Sequence, residues 1–309
     1  METTEKKDMM LGGLLLGKTV NMIAISGRDL VEEARRLHGL SRVCTAALGR
    51  LLLAVSMMSA RLKAETDSIT VTFAGGGPAG NLTAVGHTGG IVKGCITNPE
   101  IELPPNALGK LDVSGAVGTA GEMRVIRDMS LKEPYVGRCA LTSGEIADDF
   151  ANYFLTSEQQ PSLVYLGVRV EPVSGEVRSA AGLILAPLPN CPDEDIDKLE
   201  ALAGGISSLS RLIDEGESLK DALGKLFDGL GFEISDEMHP VYRCDCSRER
   251  LESVVISLGK EELTDMIEKD GEAELVCSFC QKRYHFNENE LRALLAEAMR
   301  HEETNEEDE

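Results

Sequence analysis

The sequence has no tryptophan, and aromatic residues fill only 4% of its 309 positions. That scarcity removes the stacking platforms on which single-stranded bases are bound. Cations are also in deficit, with 31 Lys and Arg against 52 Asp and Glu for a formal charge of −21. Affinity for nucleic acid rests on cations that neutralise phosphates, so the balance excludes a polyanion as the main partner. No apolar run is both long and free of charge. "VCTAALGRLLLAVSMMSA" carries Arg50 inside it and reads as a buried core helix, not a membrane span. "MMLGGLLLG" is short, follows the mixed-charge "METTEKKD" and lacks a small-residue cleavage site, so it does not read as a secretory signal. The chain is therefore expected in the cytoplasm, with no membrane and no nucleic-acid partner. In that compartment its eight cysteines point to metal ligands or reactive thiols rather than permanent disulfides.

What is present organises into an α+β chain. Residues 18–25 read as a strand. Ser26 is expected to cap a helix through about Leu37, and Ser41 to open the buried helix ending near Lys63. Between Ser68 and Val125, β-type runs broken by Gly-, Pro- and Asn-rich turns predict a meandering sheet. "SGEIADDFANYFLTSEQ" predicts a helix capped by Ser143, and two strands follow as a hairpin turning at Ser174-Gly175. This gives an N-terminal mixed α/β-sheet domain over residues 1–190. Residues 191–235 are then helical, with amphipathic spacing at Leu199, Leu202, Ile206 and Leu209 and again at Leu219, Leu223, Phe227 and Leu230. Such short helices are marginal alone and must dock on something. They are either ordinary packing helices or a metastable linker whose apolar face can be released. Residues 236–300 form a small C-terminal domain, and 301–309, "HEETNEEDE", an acidic disordered tail.

Two glycine motifs imitate nucleotide loops. "GGLLLGKT" fits the phosphate-loop pattern, but a charged tail precedes it and a β-like run follows it, where the chemistry needs a strand and then a helix. "GGGPAG" satisfies G-x-G-x-x-G, yet "NLTAVGHTGG" after it is strand and turn, so a hairpin turn is the better reading.

The informative cysteines are Cys244 and Cys246 in "VYRCDCSRER", and Cys277 and Cys280 in "VCSFCQKRYHF". Zinc takes four donors at the vertices of a tetrahedron, and two sequence-local pairs supply two of its edges. The flanks predict strand, knuckle and strand around Cys277 and Cys280, a helix opened by Ser247 with Leu251, Val254, Val255 and Leu258 on one face, and a last helix capped by Asn287. His239 and His285 are near enough in sequence to substitute, but four cysteines already fill the site. Arg243, Arg248, Lys282 and Arg283 are expected to surround the sulfurs with positive charge. A closed structural zinc site is the main rival to a reactive one. In so small a module, however, metal ligation supplies roughly 10–16 kcal/mol of the folding free energy, and the thiolates it maintains are the species that attack oxidants. Cys44, Cys95, Cys139 and Cys191 read as packing or incidental residues.

With these cysteines, "ALGRLLLA", "LPPNALGKLDVSGAVG", "KEPYVG" and "LTSGEIADDFANYFLTSEQQPS", the sequence resembles the heat-shock protein 33 family of redox-regulated holdase chaperones, from about residue 17 to 298. It departs at Lys93 and Cys95, where the family more often has Arg and an aromatic residue. The resemblance implies one Zn2+ per chain on Cys244, Cys246, Cys277 and Cys280 in a reduced, inactive monomer. It further implies that oxidation forms the disulfides Cys244–Cys246 and Cys277–Cys280, releases zinc, unfolds the C-terminal module and destabilises the linker. Unfolding client proteins would then be held without ATP, by a homodimer that hands them over to ATP-dependent chaperones. No catalytic residue is expected. A thiol–disulfide oxidoreductase using Cys277 and Cys280, or a structural zinc-ribbon binding protein, are the alternatives.

Overall fold

The structure, a computed structural model, describes residues 7–307, and of 301–307 the backbone alone. It divides into two compact units, residues up to Arg243 and residues from Cys244.

The first unit opens with β1 (Met9–Leu15), β2 (Val20–Ser26), α1 (Arg28–His38) and α2 (Arg42–Ser59). Next come β3 (Ser68–Ala74), β4 (Leu82–His87), β5 (Ile91–Ile96), α3 (Val113–Val117), β6 (Glu122–Asp128) and β7 (Tyr135–Ala140). The unit continues through α4 (Ile146–Thr156), β8 (Leu163–Val170), β9 (Val177–Pro187), α5 (Asp193–Ile206), α6 (Leu209–Asp214) and α7 (Leu219–Leu226), and ends with β10 (Glu233–Met238) and β11 (Val241–Tyr242). One sheet of five strands has the order β10-β1-β2-β9-β8, and one of six has the order β11-β5-β4-β3-β6-β7. All pairings are antiparallel except β11 with β5. The chain is α+β, as its pattern indicates.

Between the sheets lies the main core, with α2 running through it. Ser41 caps α2 by accepting from the Cys44 N–H, and nearly every side chain from Val43 to Ser59 is buried. α2 is long and apolar enough to cross a membrane by composition, but 89% of it is buried inside the protein. Gly49 exists for contact: a Cβ there would stand 2.6 Å from Val31 Cγ1 on α1. The five-stranded sheet has a second apolar face, built by Leu11, Leu15, Met22, Ala24, Leu183 and Leu185. Helices α5–α7 cover it with Leu199, Ile206, Leu209, Leu219, Leu223 and Phe227.

Several local expectations are corrected. "MMLGGLL" is an inner strand of the sheet, with Leu11 and Leu15 buried and Leu14 half-buried. Ser26 closes β2, and α1 begins after Gly27 without a side-chain cap of its own. Its first N–H groups are taken by Asp8, whose carboxylate accepts from Asp29 and Leu30 at 3.1 and 2.6 Å. Ser143 does not cap α4, whose N-cap position is Glu145. There the Asp149 carboxylate reaches back to the Thr142 and Ser143 N–H groups. Residues 236–243, assigned by sequence to the C-terminal domain, complete edges of both sheets of the first unit. The hairpin turn at Gly175 is present with φ +75°. So is the turn in "GGGPAG", where the Gly77 and Ala79 N–H groups donate to Val117 and Ala116 carbonyls and are not available to a phosphate.

The second unit comprises α8 (Arg248–Ser257), α9 (Gly259–Lys269), β12 (Glu272–Val276), β13 (Arg283–Asn287) and α10 (Glu288–Glu307). Its core is small, with Val255, Leu263, Tyr284, Phe286, Leu291 and Leu294 at the centre. Val254 and Leu258, expected beside Val255 on the buried face of α8, are 48% and 42% exposed. Asn287 caps α10 by accepting from Glu290 N–H, and the Glu290 side chain accepts from Asn287 N–H in return. Helical backbone continues to Glu307, through most of the stretch expected to be disordered, and residues 308–309 lie outside the described chain.

Candidate metal centre

Two local structures bring the cysteines together. β12 and β13 pair from Glu272↔Asn287 to Val276↔Arg283, and the chain between them turns sharply. Cys277 N–H donates to Lys282 O and Gln281 N–H to Cys277 O, with Gln281 at φ +59°. That knuckle aims Cys277 and Cys280 to one side. Cys244 and Cys246 lie in an extended segment that stops at Ser247, whose hydroxyl caps α8 by accepting from the Arg250 N–H.

All four sulfurs lie within 4.8 Å of one another. Cys246 Sγ is 3.3 Å from Cys280 Sγ, and Cys244 Sγ is 3.7 Å from Cys277 Sγ. A tetrahedron with bonds of about 2.3 Å has edges of about 3.8 Å, so this donor set fits a zinc ion. Cys277 is buried and the other three are half-buried, so the cluster is reachable by small oxidants. Among the described residues no other group of His, Cys, Asp or Glu meets these proximity criteria.

Tyr284 is the site residue that the sequence reading missed. Its hydroxyl lies 3.2 Å from Cys246 Sγ and donates to Cys246 O at 3.3 Å. The period-two pattern of "RYHFN", which places Tyr284 and Phe286 on the inner face of β13, was the available signal. The thiols are held unequally. Burial opposes ionisation of Cys246, but hydrogen bonds from Tyr284 and the other three cysteines outweigh it and bring this thiol to about 7. Cys244 is pushed well up, first by burial and then by its bonds to Cys246 and Cys277. Cys280 moves up for the same reasons.

The expected cationic surround is only partly realised. Arg248 stacks on Phe286 at 4.5 Å and bonds Glu290 at 2.7 Å, and Arg283 pairs with Glu274 at 2.6 Å. Lys282 sits over the Tyr284 ring at 4.9 Å. The acidic composition supplies carboxylates that neutralise the arginines, which charge counting along "CSRER" could not show. Arg243 belongs to the first unit. His285 pairs with Glu272 across the hairpin at 2.9 Å, and His239 hydrogen-bonds the Asp8 carbonyl in the first unit, so neither joins the cluster. Of the remaining cysteines, Cys44 is fully buried and Cys139 half-buried. Burial raises both thiols, that of Cys139 to about 11, which suits packing rather than reaction.

Comparison with known proteins gives a consistent picture. A family model described as Hsp33 protein matches residues 8–287. A 33 kDa chaperonin of Alkaliphilus metalliredigens is 44% identical over 87% of this chain and 92% of its own length. One of Clostridioides difficile is 43% identical over 90% and 95%. The crystal structure of the Thermotoga maritima 33 kDa chaperonin, a heat shock protein 33 homolog, superposes with a TM-score of 0.85 at 36% identity, covering 94% of this chain and 98% of that one.

Proposed function

The chain belongs to the Hsp33 family, and on that premise we propose that it is a redox-switched holdase whose four cysteines are the sensor and whose helices α5–α7 are the responder. Membership makes it a chaperone, a protein that binds unfolding clients. The observation that carries the finer reading is the convergence of Cys244, Cys246, Cys277 and Cys280 in a unit with so small a core. Zinc bound there would keep the sulfurs as thiolates and join the two cysteine pairs into one fold.

The half-buried sulfurs of Cys244, Cys246 and Cys280 are the ones a small oxidant would reach. A thiolate attacks peroxide, releasing hydroxide and becoming a sulfenic acid, and a second cysteine sulfur displaces water from it to close a disulfide. Each disulfide thus consumes one peroxide and two thiols. Following the family, the pairs are Cys244–Cys246 and Cys277–Cys280, neither of which links the two halves of the module. The module then loses what held it, and residues 244 onward loosen.

Chain continuity supports the coupling to the responder, because β11 and β10 lie between Cys244 and the linker helices. Once those strands fray, α6 and α7 lose their C-terminal anchor. These helices are too short to persist undocked. Their release would bare the Leu11, Met22, Leu183 and Leu185 face of the sheet. We assign the chain to the cytoplasm, give it no catalytic residue, and infer that the oxidised form dimerises and passes clients to ATP-dependent chaperones. Peroxide with mild heat should release about one zinc per chain and switch on suppression of citrate synthase aggregation. Zinc release with no gain in suppression would refute the switch.

A further inference from the structure

The five-stranded sheet has two edges, and they are protected unequally. β10, at one end, carries Glu233, Asp236 and Glu237, the charged type of edge that resists further pairing. β8, at the other end, reads "LVYLGVRV", with no proline, no lysine and one arginine. In the six-stranded sheet β11 is only two residues long, and β7 carries Arg138, which pairs with Glu122. β8 is a long apolar edge that neither proline, lysine nor shortness blunts.

Register shows which groups it leaves free. Gly27 N–H donates to Ala180 O and Leu188 N–H to Thr19 O, so even-numbered residues of β9 point their backbone groups at β2. Odd-numbered residues of β9 therefore face β8, where Ala181, Leu183 and Leu185 oppose Gly167, Tyr165 and Leu163. The N–H and C=O groups of Val164, Leu166 and Val168 consequently point away from the sheet. Among the described residues, none of these three N–H groups donates to a partner. They open on a cleft of about 690 Å³ walled by Ala46, Arg50, Asn106, Glu145 and Ser210, with Leu108, 78% exposed, on its lip.

α6 clasps this edge. Tyr165 Oη donates to Ser210 Oγ at 2.7 Å, and Arg169 and Arg178 both hold Asp214 at 3.1 and 2.7 Å. Release of α6 would widen the cleft and leave two guanidinium groups without their carboxylate. We infer that the free edge of β8 is where a client docks: an extended apolar segment of an unfolding polypeptide adds as a sixth strand, with an acidic residue against Arg169 and Arg178. A neighbouring strand sits about 4.8 Å away and repeats its bonds every second residue, so main chain supplies affinity for any sequence in extended form. This deepens the chaperone reading and rests on it.

The test uses the full oxidised chain and two labelled heptapeptides of alternating valine and threonine ending in aspartate, one plain and one N-methylated at alternate residues. The plain peptide should bind at least tenfold more tightly. Val164→Pro, which removes an edge N–H that makes no ladder bond, should weaken it at least tenfold relative to Val164→Ala. Equal binding of the two peptides by the wild type overturns the assignment whether or not the proline variant folds. Protection of β8 amides by a second copy without peptide overturns it too. In either case continued suppression of citrate synthase aggregation would leave the chaperone reading standing. An oxidised wild type that suppresses nothing would remove the chaperone reading and this one together.

Discussion

Truncating Phe227 tests the proposal that α5–α7 form a releasable cover. The ring is 1% exposed and packs against Phe232 with centroids 5.8 Å apart. It closes the C-terminal end of a layer in which α6 spans Leu209–Asp214 and α7 Leu219–Leu226. Helices of this length have little stability of their own, so their free energy is that of docking. Phe→Ala in a packed site costs about 3–5 kcal/mol. The whole protein has roughly 5–15 kcal/mol, and local openings lie below that. The loss therefore falls on the linker first. At about 1.4 kcal/mol per factor of ten, the open population rises by roughly two to four powers of ten. Amide hydrogen exchange on reduced, zinc-loaded Phe227→Ala reads this directly. The Leu212, Ala222 and Phe227 N–H groups, which donate to Ser208, Ser218 and Leu223 carbonyls, should exchange faster by that factor, while amides of α2 stay as in wild type. Such a variant should also suppress client aggregation without oxidant. Unchanged exchange in α6 and α7, or equal acceleration everywhere, would refute a separately releasable layer.

Cys277→Ser should weaken zinc by roughly two to three powers of ten, one ligand's share of the total, and unfold residues 244–300 in part; undiminished affinity in a competitive chelator titration would contradict the ligand set. Tyr284→Phe removes the hydroxyl beside Cys246 Sγ and should lower zinc affinity about 10–100-fold, with the cysteine count and fold unchanged by thiol titration and circular dichroism. Gly49→Ala should destabilise by about 1–3 kcal/mol through the clash with Val31, against the roughly 1 kcal/mol gain expected in an open helix, and a raised Tm would disprove the close approach. For Asp8, burial lifts the carboxyl from its ordinary 3.8 to about 6, although the Leu30 and Asp29 N–H groups pull the other way. A raised folded pKa means the folded state favours the proton, so this contribution to stability is full below pH 3.8, falls as pH rises through 6, and is flat above. Denaturant unfolding should show wild type losing about 2–3 kcal/mol relative to Asp8→Asn between pH 4 and 7; a flat difference would refute it.

How much of this was legible depended on whether the signal was local. The two cysteine pairs, their knuckle and the capped helices around them are set by neighbours within a few residues, and they appear where the sequence puts them. β1 was not legible. A strand with one wet face alternates, but β1 packs Met10 against α2's core and Leu11 and Leu15 against the linker helices, so it reads as an unpatterned apolar run. Its partner β10 lies more than two hundred residues along the chain, and no window contains both. The α1 cap was missed for the same reason, since Asp8, just before β1 and 22 positions from Leu30, does what Ser26 was expected to do. Amphipathic spacing located the linker helices but not the surface beneath them, because that surface is assembled from β1, β2 and β9.

Those facts bear on how such a protein can switch without precipitating. An apolar sheet face and an unguarded edge strand are the features that drive self-association, and here α5–α7 cover the one and α6 clasps the other. Uncovering both in a neutral molecule would favour open-ended association of its own copies over binding of clients. A formal charge of −21 changes that competition. Repulsion grows with every copy added and so opposes assembly beyond the dimer, whereas a client segment of lower charge does not carry that penalty. The linker itself begins with Asp193, Glu194 and Asp195, so releasing it does not remove negative charge from the chain. The acidic composition, which first served only to exclude nucleic acid, is in this reading what lets a bared β surface take unfolding clients and not grow into larger assemblies of its own copies.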